Sequence, residues 1–228
     1  MKILVIADIH NDTENLLSLL DRAEEISPYN LIVAIGDFTD VNLPKGFTTK
    51  DIGKIILEIL KSKNVPVLAT PGNFDRDLIE LFRDEGVLIH GNGKIMEKIG
   101  FYGYGGAKTP FNTPLEPSED EIYQGLKKGW LEVKNAEIKI QITHVPPFQT
   151  KLDLISSGLH VGSESVRKFI EEKQPHVAVC AHIHESRGID RIGNTQIINP
   201  GRFPEGYAGF VEIDEKTGNV KIRMLELI

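Results

Sequence analysis

Apolar residues come in two rhythms along this chain. KILVIA (2–7) and the core of NLIVAIGD (30–37) are unbroken apolar runs, the pattern of strands buried on both faces. Between them, NDTENLLSLLDRAEEIS sets Leu16, Leu17, Leu20 and Ala23 at helical spacing, with Asp12 or Thr13 as N-cap. The unit repeats: DIGKIILEILKSKN is an amphipathic helix, VPVLATPG a strand, and DRDLIELFRDEG a helix with Asp75 as N-cap, stopped by Gly86. Strands and helices alternating at these lengths predict a parallel sheet covered by helices.

Beyond residue 87 the texture changes. GKIMEKIGFYGYGG reads as a pair of Gly-rich strands, GGAKTPFNTPLEPSED as a loop with three prolines, and SEDEIYQGLKKGWLE as a well-capped helix. AEIKIQITHVPPF alternates and then turns at Pro146-Pro147; GSESVRKFIEEKQP is a helix and HVAVCAHIH a buried strand. The tail supplies three more strands, with Asp-Glu-Lys-Thr-Gly-Asn as a hairpin turn. No repeat or linker interrupts residues 1–228, which read as one domain of α/β class with two sheets packed face to face.

Composition narrows the function classes. With 40% hydrophobic and 26% charged residues, the chain has the make-up of a globular protein, and no apolar run reaches the ~18 residues of a membrane span. The N-terminal apolar run meets Asp8 after about five residues, short of the roughly 7–15 of a signal peptide, so a cytoplasmic location is expected and no membrane partner. Cys180, the single cysteine, fits a reducing compartment. A net charge of −7, without a Lys/Arg-rich aromatic patch, argues against nucleic acid as partner.

The chemistry lies in where polar residues interrupt the apolar runs. Asp8 and His10 follow the first strand, Asp37 the second, Asn73 the third, His144 the strand IKIQIT, and His182 and His184 the strand HVAVCA. Each has an ordinary alternative: Asp8 and Asp37 as caps or turn residues, His10 as a loop histidine. Five strands ending alike make coincidence a poor account, because ligand sites of α/β sheets gather beyond the carboxyl ends of strands. His, Asp and Asn donors without thiolates suit Mn²⁺, Fe²⁺, Ni²⁺, Zn²⁺ or Mg²⁺, with Mn²⁺ the leading expectation. Seven donors are best used by two ions about 3.5–4 Å apart sharing a carboxylate, a pair that activates water and clamps a phosphoryl group. The expected substrate is a small phosphate ester.

DIH (8–10), GDFTD (36–40), GNFD (72–75), THVPP (143–147) and AHIH (181–184) resemble, in order, the signature blocks of the calcineurin-like metallophosphoesterase superfamily. Those blocks are written D-x-H, G-D-x-x-D/E, G-N-H-D/E, an isolated His, and G-H-x-H. The resemblance runs from residue 3 to about 201 and takes in NPG (199–201), as in the smaller bacterial and archaeal members. It implies a four-layer α/β/β/α sandwich of two mixed sheets. It also implies one ion held by Asp8, His10, Asp37 and His184, and a second by Asp37, Asn73, His144 and His182, with Asp37 bridging. Asp37, Asn73 and His144 then carry the catalysis, with a metal-bridging hydroxide as nucleophile.

Two positions depart from the pattern. Ala181 replaces a glycine, a small change. Phe74 replaces a histidine that steadies phosphate and helps the leaving group depart, and a phenyl ring has neither donor nor proton. A preference for phosphodiesters over the more highly charged monoesters follows as an expectation. Asn11, His90 and His160 are the candidate substrate contacts, and the proline-rich loop 107–117 the candidate lid. Arg202 and His176 read as a solvated and a structural residue, and Phe101, Tyr102 and Tyr104 as core. The rival function is a metal-binding, non-catalytic scaffold of the same fold in protein–protein interaction. Homo-oligomerisation is left open.

Overall fold

The computed structural model describes residues 1–228. Five strands form the first sheet: β1 (Lys2–Ala7), β2 (Leu31–Ile35), β3 (Val67–Thr70), β10 (Tyr207–Asp214) and β11 (Asn219–Glu226). Their order is β11-β10-β1-β2-β3. β1 pairs in parallel with β2, and β2 with β3, whereas β10 joins β1 antiparallel. The second sheet holds β4 (Asn92–Met96), β5 (Ile99–Tyr104), β6 (Ile138–Thr143), β7 (Val177–Val179), β8 (Gly188–Ile192) and β9 (Thr195–Asn199). Its order is β4-β5-β6-β7-β9-β8, with β5, β6, β7 and β9 mutually parallel.

Alternation along each strand divides its side chains between two cores. Ile3, Val5 and Ala7 of β1, with Leu31, Val33 and Ile35 of β2, meet Ile138, Ile140 and Ile142 of β6 and Val177 and Val179 of β7 between the sheets. The opposite faces turn outward: Leu4, Ile6, Ile32 and Ala34 pack against α1 (Leu16–Ile26) and α2 (Thr49–Lys61). Tyr102 and Ala178 are covered by α4 (Glu119–Val133) and α5 (Glu164–Lys173), while α3 (Ile79–Asp84) follows β3. The layers are α/β/β/α, the mixed two-sheet sandwich expected.

Capping fixes where helices begin. Thr48 with Asp51, and Ser118 with Glu121, form reciprocal capping boxes at α2 and α4, and the Ser163 hydroxyl accepts from the Val166 N–H at α5. The first helix differs from its expected form. It starts at Leu16 after Asn15, not at a cap on Asp12 or Thr13, and its buried face is Leu16, Leu19, Leu20 and Ala23, with Leu17 exposed. The chain from Asp8 to Asn11 hydrogen-bonds back to residues 35–38, which delays the helix. Strand β8 had no strong apolar signal because it is an edge strand, half exposed, paired only with β9 across Gly193-Asn194. No helix is long and apolar enough to cross a membrane.

Candidate metal centre

Five parallel strands of the two sheets deliver their C-terminal ends to one place. Past these ends the backbone leaves ordinary geometry: Asp8, His10, Asn11, Asp37 and His182 all have φ between 39° and 72°. Left-handed backbone is costly for residues with a side chain, so five such residues in one constellation mark a site held in place by its surroundings. Those surroundings are visible. The N–H of His10 donates to the Asp37 carbonyl (2.8 Å), that of Asn11 to Phe38 (3.0 Å), and that of Gly36 to Thr70 (2.7 Å). The first sheet is thereby laced across its loops. Across the cleft, the His182 N–H donates to Asp8 Oδ2 (3.2 Å) and the Ala181 N–H to the His144 carbonyl (2.9 Å).

Two glycines make the approach feasible. A Cβ at Gly36, itself at φ 60°, would lie 1.8 Å from His144 Nδ1, and one at Gly72 would lie 2.0 Å from the Asp37 nitrogen.

The donor atoms form two clusters that could each hold a metal ion: Asp8, His10 and His184, and Asp37, His144 and His182. Asn73 joins the second, its Oδ1 3.1 Å from His144 Nε2. Asp37 Oδ2 lies between the clusters, 4.0 Å from His10 Nε2 and 3.5 Å from His144 Nε2. Asp8 also faces both, with Oδ2 3.5 Å from His184 Nε2 and Oδ1 3.9 Å from His144 Nδ1. His10 and His184 bring their Nε2 atoms to 3.4 Å, a spacing of lone-pair donors that a shared cation accommodates. Asp8 Oδ1, His10 Nδ1 and His144 Nδ1 are shut off from solvent without a hydrogen-bond partner, so part of the polar capacity is unspent. The donor set therefore fits divalent cations.

Protonation follows burial. Desolvation drives Asp8 up to about 8 and pulls His182 and His184 down to about 3 and about 4. Burial also opposes ionisation of Asp37, yet His144, His10 and the Phe74 N–H outweigh it and hold this carboxyl below its ordinary value. His182 and His184 are thus in the neutral state in which imidazole ligates a metal, whereas at buried His144 desolvation is outweighed by Asp37 and Asp8, which raise it.

Two residues unassigned from the sequence hold the loops together. Asp75 is fully buried and accepts from the N–H groups of Phe38 (3.0 Å), Thr39 (3.1 Å) and Gly72 (2.8 Å) and from the Thr39 hydroxyl (3.0 Å). It ties the turn carrying Asn73 to the loop carrying Asp37, where its place before a helix suggested only a cap. Asn199 donates to the Ile183 carbonyl (2.9 Å) and accepts from the Gly201 N–H (3.0 Å), fixing the loop of His182 and His184. The NPG tract was the signal for it.

The expected substrate contacts have other partners. Asn11 spends its side-chain amide on the Asn42 carbonyl and its side-chain oxygen on the Asp40 N–H. His160 bonds Asp153, the buried carboxylate that organises the loop after His144. His90 stacks on Tyr104 and accepts from the Gly105 N–H (2.9 Å), outside both clusters. Arg202, expected to be solvated, is half-buried with its Nε enclosed and unpartnered, and its charge disfavours protonation of His10 and His184. Phe74 stands edge-on to His10, ring centroids 6.2 Å apart. Loop 107–117 is clasped to the metal turn by the Leu115 N–H donating to the Asn73 carbonyl (2.9 Å), with Phe111 projecting 80% exposed.

Known proteins share this frame. A protein of Methanocaldococcus jannaschii, itself uncharacterized, is 37% identical over 214 residues, 91% of this chain and 90% of its own. A solved protein of Thermus thermophilus superposes with a TM-score of 0.72 at 20% identity, covering 100% of this chain and 99% of that one. A dimetal phosphatase from Danio rerio gives 0.67 at 12% identity over 100% and 96%, and a phosphatase from Mycoplasma pneumoniae 0.63 at 16% over 99% and 92%. These likenesses establish the fold. The sequence profile of the calcineurin-like phosphoesterases matches residues 1–186, which span every donor of both clusters. The chain belongs to the calcineurin-like phosphoesterase family.

Proposed function

We propose that residues 1–228 act as one domain that hydrolyses phosphate esters at a two-metal centre, with phosphodiesters preferred over monoesters. The observation that carries the reading is Asp37, whose Oδ2 stands between His10 and His144 and so between the two donor clusters. Asp8, His10 and His184 would hold one ion, and Asn73, His144 and His182 the other. Mn²⁺ is the metal we assign, from a donor set that equally suits Fe²⁺, Ni²⁺ and Zn²⁺. Two similar folds belong to phosphatases, one of them called dimetal, which agrees with this reading.

When bound, the ions supply Lewis acidity that activates a water and offsets phosphoryl charge. The chain's own part is placement. The Phe74 N–H donates to Asp37 Oδ1 (3.1 Å) and leaves Oδ2 toward the clusters. The His182 N–H donates to Asp8 Oδ2 (3.2 Å), which fixes the carboxyl with that oxygen toward His184 and Oδ1 toward His144. Asn73 is oriented by its bond to His144 and by the turn that Asp75 anchors. At position 74 the site presents an apolar edge and no proton, so departure of a poor leaving group is unassisted there. Diesters with acidic alcohols need that assistance least.

The test is hydrolysis of a bis-aryl phosphodiester and the matching aryl monoester by protein stripped of metal and refilled with Mn²⁺, with Asp37→Ala as control. Metal-dependent diester turnover that vanishes in Asp37→Ala, with slower monoester turnover, is the expected outcome. A monoester rate above the diester rate overturns the preference. Turnover of neither ester by protein holding two ions overturns the catalytic reading in favour of a metal-binding scaffold.

A further inference from the structure

Away from the metal centre, a cavity of about 330 Å³ opens between the end of α3, edge strand β4 and α4. Arg83, Lys94 and Lys128 line it together with His90, and its one apolar lining residue is Leu88. Three cations around one concavity are unexpected in a chain of net charge −7. None of the three is in an ion pair; Lys94 Nζ only donates to the Gly86 carbonyl (3.0 Å).

Three carboxylates of the flanking elements are committed elsewhere. Glu85 is paired with Lys61, Glu121 closes the cap of α4 on Ser118, and Glu132 accepts the Gly93 N–H (2.8 Å).

His90 supplies the neutral donor. Its Nδ1 accepts from the Gly105 N–H, so the uncharged ring carries its proton on Nε2, for which the protein offers no acceptor. Burial, with Arg83 nearby, holds His90 at about 4, which keeps that tautomer near neutral pH. The lining is thus made of donors and positive charge. Such a set matches an oxyanion, which accepts hydrogen bonds from every side.

We propose that this groove is a second anion site, separate from the metal centre, in which Arg83, Lys94, Lys128 and the Nε2–H of His90 bind a phosphate group. The group is either free phosphate or the phosphate of a small ester. The site adjoins the catalytic turn through the chain. Gly105 bonds His90, the next residue's N–H donates to the Pro71 carbonyl (2.9 Å), and Pro71 lies two residues before Asn73.

The experiment is amide chemical-shift titration of the zinc-loaded, diamagnetic protein with inorganic phosphate and, separately, glycerol phosphate. Shifts at Gly86, Gly91, Gly93 and Gly105 report the groove, and shifts at Gly36 and Gly72 the metal centre. Groove shifts with inorganic phosphate, weakened about tenfold or more in Arg83→Ala/Lys128→Ala while those at Gly36 and Gly72 persist, are the expected result. Groove shifts with glycerol phosphate alone also support the site and assign it to an ester. Equal affinity in the double variant, or shifts confined to the metal centre, overturn the proposal. Because the two sets of amides are read separately, a metal centre that proved inactive would not alter what the groove amides show.

Discussion

Asp75 offers the sharpest test of how the metal loops are held, since it touches no proposed ion and no substrate. In Asp75→Ala four hydrogen bonds vanish, and the N–H groups of Phe38, Thr39 and Gly72 are left without their acceptor. An unmet buried donor costs about 1–3 kcal/mol, so three cost about 3–9 kcal/mol. Removing a buried carboxyl that sits beside Asp37, and is pushed up to about 6 by burial and by that neighbour, returns part of this. A net loss near the lower bound, about 3 kcal/mol, is expected, equivalent to roughly 6–12 °C in Tm for a chain of this size. Asp75→Asn keeps one accepting oxygen and turns an amide N–H₂ toward the remaining donors, so it rescues only part. Manganese affinity should fall about 10–100-fold, the usual consequence of losing an outer-shell partner. Urea unfolding of the metal-free protein reads the first effect, and manganese titration the second. A metal-free Asp75→Ala within about 1 kcal/mol of wild type, with unchanged manganese affinity, would refute the reasoning.

Three further outcomes are expected. Gly72→Ala places a Cβ 2.0 Å from the Asp37 nitrogen, so it should lose metal binding, measured as bound manganese after gel filtration, and stoichiometric metal would contradict this. Phe74→His restores a proton donor beside His10, and the monoester rate should rise at least about tenfold relative to the diester rate, a fraction of the roughly 10²–10⁴ that general acid catalysis supplies. An unchanged ratio of the two rates would show that position 74 does not set the preference. His90 is held at about 4, below the 6.5 of an unfolded histidine, so the unfolded chain binds the proton first. Its contribution is therefore complete above pH 6.5 and is lost as pH falls toward 4. His90→Gln should flatten the pH dependence of the urea midpoint across that window, and parallel curves would exclude burial of the ring as the cause.

Much of this protein was legible along the chain. Unbroken runs such as KILVIA and the five polar interruptions named both the buried strands and the donors at their ends, because a strand covered on both faces admits polar atoms only where it emerges. The capping boxes at Thr48 and Ser118 were equally local, needing only residues three apart. Other features depend on distant partners. Leu17 has the spacing of a core residue, yet the Asp8–Asn11 loop shifts the start of α1 and turns it to solvent. Asn11 and His160 have the chemistry of phosphate contacts, yet they bond Asn42 and Asp153, and His90, fixed through Nδ1 by the Gly105 N–H, stands outside both donor clusters, placements that no local pattern encodes. Asp75 looks like a helix cap until the β2 loop, 36 residues earlier, presents three donors to it. Residue type and spacing determined which atoms could serve a metal. Packing the two sheets face to face decided which of them meet, since 3–4 Å contacts between side chains as far apart as Asp8 and His184 exist only once the sandwich has closed.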